Sequence, residues 1–393
     1  MLTRQGAIVA AFSIALVVLG RLLGIFELFL LGAGGAALVL GAAAAVGITR
    51  VHIDVARELR PPRVHAGSPS TVELRIHNRA TKRTPVVQLR DAVEGIDRTA
   101  TVVLGPLAGG QRVAAAYSLP TERRGVMRVG PLEVRISDPF GLANLSAQGA
   151  PATDLTVWPT VERVLAPART AGDDVDVAAD HPNPLSATGE EFYALRPYTD
   201  GDDLRRVHWR ASAKRDDLVV RQEERLLQGR ATVVLDARIA SFRSETFERA
   251  VSAAASIVLA CSRDGFLVRL VTTAGHDSGF GTGGDHIDAI LEHLAVVEVR
   301  DLGHLATLLA SVSRPSGGNR GALAVLTGDG DPTGAAAGLD PSALAGRTTT
   351  IVSFASGSAA QSGDHSALVV DASTTFASVW NRAMSMSSPV MQS

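Results

Sequence analysis

The chain has 393 residues, enough for two or three domains, and 46% of them are hydrophobic. A formal net charge of -2 gives no electrostatic reason to expect nucleic acid or an acidic substrate as partner. The single cysteine, Cys261, excludes an intramolecular disulfide and a thiolate metal site, and fits a reducing compartment.

The apolar excess is concentrated before residue 50. Between Gly6 and Ile48 the only charged residues are Arg21 and Glu27, which divide the stretch into Gln5 to Gly20 and a longer run from Leu28 to Ile48. A membrane span needs about 20 apolar residues, with about 17 as the lower limit. The second run qualifies; the first reaches that length if Arg21 snorkels its head to the interface. Residues 1–50 therefore read as a two-helix transmembrane hairpin, turning over Arg21 to Glu27, with small residues such as Gly32, Gly34 and Gly35 allowing close helix contact. Arg4 precedes the first helix and Arg50, Arg57, Arg60 and Arg63 follow the second, so the positive-inside rule puts both ends in the cytoplasm. The expected placement is a two-pass protein of the cell membrane with the bulk of the chain cytoplasmic. A signal peptide or single signal anchor would instead export everything downstream.

Residues 51–164 read as strands. Thr71 to His77 alternates apolar and polar residues between turn-forming stretches, and Val86 to Leu89, Thr101 to Leu104, Arg112 to Leu119, Leu132 to Ile136 and Leu155 to Trp158 follow. Short strands without amphipathic helices predict an antiparallel, immunoglobulin-like β-sandwich. Residues 165–185, with Pro167, Pro182, Pro184 and four aspartates, read as a linker.

Residues 186–386 alternate strand and helix, and 387–393 form a tail. Ala231 to Leu235 is an apolar strand ending at Asp236. Ser244 is expected to cap a helix whose apolar face holds Phe247, Val251, Ala254, Val258 and Cys261, ended by Gly265. Strands follow at Phe266 to Val271, Leu323 to Leu326, Thr350 to Phe354 and Leu368 to Val370. Helices are marked by Ile287 to Leu294, Leu305 to Val312 and Phe376 to Ala383. The alternation predicts a mostly parallel sheet with helices on both faces.

In such a sheet ligands meet the carboxyl ends of the strands. Asp236, Thr272, Thr273, Thr327 and Asp329 offer oxygen there, as Mg²⁺ would require. The arrangement resembles the metal-ion-dependent adhesion site of von Willebrand factor A domains, whose first strand ends in Asp-x-Ser-x-Ser. Here Arg238 and Ala240 stand at the two serine positions, which removes hydroxyl ligands and adds a cation. Asp236 and Asp329 are thus candidates for a degraded metal site, better read as caps of loops and helices, and no cofactor is expected.

The densest motif runs from Gly189-Glu190-Glu191-Phe192 through Arg196, Pro197 and Tyr198 to Asp200-Gly201-Asp202-Asp203-Leu204-Arg205-Arg206-Val207-His208-Trp209 and Lys214. It resembles the signature of the bacterial domain of unknown function 58 family. Arg123-Arg124-Gly125, Gly130-Pro131-Leu132 and Ser137-Asp138-Pro139-Phe140-Gly141-Leu142 resemble that family's β-sandwich segment. The resemblance implies a membrane-tethered sandwich fused to a von Willebrand A-like domain, encoded beside MoxR-type AAA+ ATPases, with an accessory role in assembly or maturation of client proteins.

Read physically, the motif nearly balances its charges, which suits a salt-bridged structural corner with Trp209 anchored against the sheet. The functional alternative is a partner-docking surface formed by Arg196, Tyr198, Gly201, Asp202, Asp203, Arg205, Arg206, His208, Trp209 and Lys214. No nucleophile motif accompanies His208, and no P-loop, Rossmann loop or zinc-protease motif occurs. The expected function is non-catalytic partner binding at the cytoplasmic membrane face. The rivals are a metal-dependent enzyme using Asp236, His208 and Asp329, and an extracytoplasmic envelope component.

Overall fold

The computed structural model describes residues 2–48, 52–94, 99–168, 191–198, 208–209, 212–213, 218–224, 229–301, 304–313, 321–329, 348–356 and 367–387. They fall into two compact units, Met1–Thr160 and Val161–Ser393.

The first unit begins with two helices, α1 (Arg4–Leu23) and α2 (Phe26–Ile48), both long and apolar enough to cross a membrane. The turn between them is shorter than the expected Arg21 to Glu27. Arg21 lies in the last turn of α1 and Glu27 in the first turn of α2, because Gly24 adopts a left-handed conformation (φ 70°) and closes α1 by donating to Gly20. Small residues set the helix contact: a Cβ at Gly20 would meet the Phe29 backbone, and one at Gly32 would meet Ser13 and Val17.

Nine strands follow: β1 (Ile53–Arg60), β2 (Arg63–His65), β3 (Ser70–Asn78), β4 (Val87–Val93), β5 (Thr99–Leu104), β6 (Arg112–Leu119), β7 (Gly125–Ser137), β8 (Asn144–Ala150) and β9 (Thr153–Trp158). They form a three-stranded antiparallel sheet, β1-β3-β6, and a six-stranded one ordered β2-β9-β7-β4-β5 with β8 added on β7. One apolar core joins the two, with Val72, Leu74 and Ile76 from one sheet and Leu89, Leu132 and Leu155 from the other. β3 shows why: its alternate residues are buried, as its period-two pattern requires.

The second unit holds a five-stranded parallel sheet: β12 (Arg230–Leu235), β13 (Leu267–Thr272), β14 (Ala322–Gly328), β15 (Thr349–Phe354) and β16 (Ala367–Val370). Its order is β13-β12-β14-β15-β16, so the chain moves outward on one side of β12 and then on the other. Helices α3 (Ser244–Arg263), α4 (Gly284–Val296), α5 (Leu305–Ser313) and α6 (Phe376–Ser387) flank it. Leu305, Leu309 and Val312 of α5 pack on Val234, Val325 and Ile351. Ile257 of α3 and Trp380 of α6 line a small cavity with Ala231, Val233 and Ala324, residues of the alternate strand parity and therefore of the other face.

Two local expectations change. Arg243 rather than Ser244 is the N-cap of α3: Thr246 Oγ1 accepts from the Arg243 amide (3.1 Å) and donates to its carbonyl (3.0 Å). Leu165, expected to open a linker, is tied to α6 by its amide on Asn381 (2.8 Å) and its carbonyl under Trp380 Nε1 (2.8 Å). Residues 169–185 lie outside the described residues.

Candidate functional site

In the order β13-β12-β14 the topological switch point lies between the carboxyl ends of β12 and β14. Asp236 stands there, fully buried. Its carboxylate accepts hydrogen bonds from Thr327 Oγ1 (3.0 Å to Oδ2) and Thr273 Oγ1 (3.4 Å to Oδ1), so oxygens from three successive strand ends converge as the sequence suggests. Thr273 Oγ1 also accepts from the Ala237 amide at 2.7 Å, which fixes the loop after β12.

The positive charge at this cluster comes from the chain itself. Arg238 grips Asp236 with both arms of its guanidinium, Nε to Oδ1 and Nη2 to Oδ2 at 2.9 Å each, and its amide adds a bond at 3.1 Å. Burial is the largest single influence and raises the carboxyl's pKa, but the hydrogen bonds and charge of Arg238 together with Ser241 outweigh it and hold the group below the usual carboxylate range. The buried Ser241 hydroxyl adds to this although it makes no hydrogen bond of good geometry. Bidentate pairing leaves the Asp236 oxygens engaged, which is poor preparation for a divalent cation. Asp329 is turned to another task, accepting from the Ser356 amide (3.2 Å) and hydroxyl (3.1 Å). Among the described residues no cluster of three or more His, Cys, Asp or Glu side chains is placed to hold a metal.

Backbone approach closes the floor of the site. A Cβ on Gly328 would overlap the Ser241 carbonyl and meet the Phe242 ring. Gly328→Ala should therefore destabilise the α/β unit by at least about 1–3 kcal/mol through forced backbone displacement. Thermal denaturation of the variant checks this, and an unchanged melting temperature would contradict it.

The signature motif spans the connection of a two-stranded antiparallel hairpin, β10 (Glu191–Pro197) with β11 (Val219–Glu224). Arg196 pairs with Val220 in its register. The Tyr198 amide donates to the Leu218 carbonyl (2.8 Å) and the His208 amide to that of Val219 (2.9 Å). Buried Ser212 ties the His208 turn to β11, accepting from the Val219 amide at 3.0 Å. Trp209, expected to anchor the segment, is 63% exposed. Gly201, Asp202, Asp203, Arg205, Arg206 and Lys214 lie outside the described residues. Cys261 is buried on α3 and its thiol is pushed up to about 12 by burial, which suits packing rather than nucleophilic chemistry.

One feature escaped sequence reading: the His276 and His293 rings stack at 3.6 Å between centroids, 11° from parallel. His276 follows β13 and His293 lies on α4, so nothing in local spacing links them. Each Nε2 is buried without a hydrogen-bond partner. Burial pushes His293 down to about 4, helped by the neighbouring His276, and lowers His276 despite the opposing charge of Asp277. An unfolded histidine binds its proton near pH 6.5, before the folded pair does. This stabilisation is therefore present above about pH 6.5 and lost as pH falls toward 4. The melting temperature should fall across that window in wild type and fall less in His276→Phe/His293→Phe.

No curated protein matches the chain. Among solved structures, the CARDB domain of a Pyrococcus furiosus protein is 16% identical with a TM-score of 0.21, covering 27% of this chain and 93% of that domain. A β-glucosidase from Erythrobacter marinus is 14% identical (TM-score 0.20) over 27% of this chain and 15% of its own. One from Listeria innocua is 16% identical (TM-score 0.17) over 25% of this chain and 16% of its own. Likenesses this slight bear on neither fold nor activity. The motif finds its counterpart in a family instead: residues 194–332, from the β10 strand through the Asp236 cluster and past the end of β14, match the family described as Protein of unknown function DUF58.

Proposed function

We propose that the chain is a membrane-anchored accessory protein that binds partner proteins at the cytoplasmic face, assisting a MoxR-type AAA+ ATPase in assembly or maturation of client proteins. The observation that carries this reading is the Asp236–Arg238 pair. The switch point where an α/β enzyme would hold its cofactor is filled by an internal, bidentate ion pair. The convergence of Asp236, Thr273 and Thr327 supports a von Willebrand A-like domain whose metal site has been replaced by a guanidinium. The exposed Trp209 within the family segment supports docking, since tryptophan concentrates binding energy at interfaces. α1 and α2 serve as the anchor, and the basic residues flanking them favour a cytoplasmic bulk.

The decisive experiment is affinity purification of the tagged full chain from membranes. Arg206→Glu and Trp209→Ala should each lose the co-purifying ATPase at an unchanged melting temperature. Retention of the ATPase by both variants would refute docking through this motif, and a large fall in melting temperature would assign the motif to the fold. Protease digestion of a C-terminal tag from outside intact cells would refute the cytoplasmic placement. Micromolar Mg²⁺ or Mn²⁺ binding by the wild-type chain in calorimetry would favour the metal-dependent enzyme.

A further inference from the structure

The registers of the sandwich gather one set of loops at the end from which the apolar helices leave. Ile53 pairs with Asn78 and His77 with Arg112, so the start of β1, the end of β3 and the start of β6 share that pole. Val87 pairs with both Leu104 and Ile136, and Ser137 with Asn144, which brings the start of β4 and the β7–β8 turn to the same place. The Arg79 amide donates to the His52 carbonyl at 2.8 Å, fixing the β3–β4 loop beside the exit of α2.

This pole is basic. Arg79, Lys82, Arg83 and Arg112 are all exposed. Of the acidic residues there, Asp54 is already paired with Arg79. Asp138 is buried, its carboxylate accepting from the amides of Phe140 (3.0 Å), Leu142 (2.6 Å) and Ala143 (2.9 Å).

The same turn is seated on the helices. The Thr3 amide donates to the Leu142 carbonyl (2.9 Å) and its hydroxyl to that of Gly141 (2.6 Å). Leu142 and Ala143 pack in one cluster with Val39, Ala42 and Val46 of α2. The 23 residues of α2 are about 34 Å long, against a hydrocarbon thickness of about 30 Å. A turn packed against Val39 to Val46, along the last turns of α2, reaches the end of the helix, where hydrocarbon gives way to headgroups. Phe140, at the tip of that turn, is 63% exposed, and Leu2, bridged to Ala143 of the same turn, is 47% exposed. A bare aromatic ring beside helix ends suits the membrane interface, and exposed basic side chains around it suit anionic headgroups.

We propose that this pole of the sandwich docks on the anionic headgroup face of the bilayer, with Phe140 entering the interface and Lys82, Arg83 and Arg112 lying against lipid phosphates. The inference rests on reading α1 and α2 as membrane-spanning. It makes the sandwich a fixed pedestal on the bilayer instead of a domain swinging on a tether. Each basic side chain near an anionic leaflet is worth about a fivefold change in partition.

The test uses the full chain in nanodiscs, carrying one introduced cysteine labelled with an environment-sensitive fluorophore. Cys261 is buried and its thiol is raised to about 12, so it stays unlabelled. Labels at Phe140→Cys, at Leu40→Cys on the open face of α2 and at Ser68→Cys on the opposite pole are compared, with quenchers carried on lipid headgroups. In discs containing phosphatidylglycerol, the label at 140 should be quenched at least about fivefold more than that at 68. That excess should fall at least about fivefold in Lys82→Glu/Arg83→Glu/Arg112→Glu, or in pure phosphatidylcholine. A label at 140 as aqueous as that at 68, with Leu40→Cys immersed, overturns the docking alone. An aqueous label at 40 overturns the membrane reading and the docking with it. Immersion at 140 that ignores both the charge reversals and the lipid overturns the assignment to anionic headgroups.

Discussion

Replacing Asp91 by alanine should destabilise the β-sandwich by about 3–5 kcal/mol, the usual effect of removing one partner from a buried ion pair. The Asp91 and Arg57 side chains are each only 1% exposed and meet at 2.8 Å. Tyr117 donates its hydroxyl to the other carboxylate oxygen at 2.7 Å. Arg57 also reaches the Pro151 carbonyl and Thr153 Oγ1 (3.0 Å). Burial and the bond to Asp91 both push the Tyr117 hydroxyl's pKa up, so it stays a donor at any working pH. Arg57 lies on β1 and Tyr117 on β6, while Asp91 lies on β4 of the facing sheet; the triad is a polar rivet between the two sheets beside their apolar core. Removing the carboxylate leaves the buried Arg57 guanidinium without its counter-charge. Arg57→Met/Asp91→Leu/Tyr117→Phe, which strands nothing, should recover most of the lost stability. Urea denaturation in detergent of the single and triple variants decides the matter. A loss under about 1 kcal/mol in Asp91→Ala would mean the pair is solvated and the rivet unimportant.

That triad also marks the limit of what the sequence discloses. β3 and β6 are legible because their inward residues are apolar and alternate. β1 carries Asp54, Arg57, Glu58 and Arg60 within eight residues, and its inward Arg57 reads as a surface charge until Asp91 is known to face it. β8, with Ala, Gln and Gly in its second half, has little to distinguish it from a loop. The helices and strands of the α/β unit are legible from apolar periodicity, whereas the sheet order depends on pairings between segments far apart in sequence. At the switch point the residues themselves can be named in advance: Asp236, Thr272, Thr273 and Thr327 sit at strand ends, and Arg238 stands where the resembled pattern has serine. The sequence does not tell whether Arg238 points away into solvent or folds back onto the carboxylate. The difference between a vacant acidic pocket and a closed ion pair is one of side-chain conformation. The stacked histidines are illegible for the related reason that only the folded sheet edge brings them together.

Placing serine at residues 238 and 240 should turn the closed pair into a cation site. In Arg238→Ser/Ala240→Ser the loop after β12 reads Asp-x-Ser-x-Ser, with two added hydroxyls, and the guanidinium is gone. Asp236 then remains as a buried carboxylate with hydroxyl neighbours Thr273 and Thr327 and no counter-charge. The metal-free double variant should be about 3 kcal/mol or more less stable than wild type, since the carboxylate's desolvation is no longer offset. A hard divalent ion supplies the missing charge to an all-oxygen cluster. Mg²⁺ or Mn²⁺ at about a hundredfold excess over its dissociation constant would return about 2.7 kcal/mol. The melting temperature of the double variant should therefore climb with added Mn²⁺, while wild type, with its own cation in place, stays flat. Arg238→Leu separates the two effects: it removes the charge without adding a ligand oxygen, and should lose stability with less recovery in metal. Equal metal dependence in wild type and double variant would show that Arg238 does not close the site. A variant as stable as wild type without metal would show that the ion pair carries no structural weight, and the guanidinium would then have to be explained by what it presents to a partner.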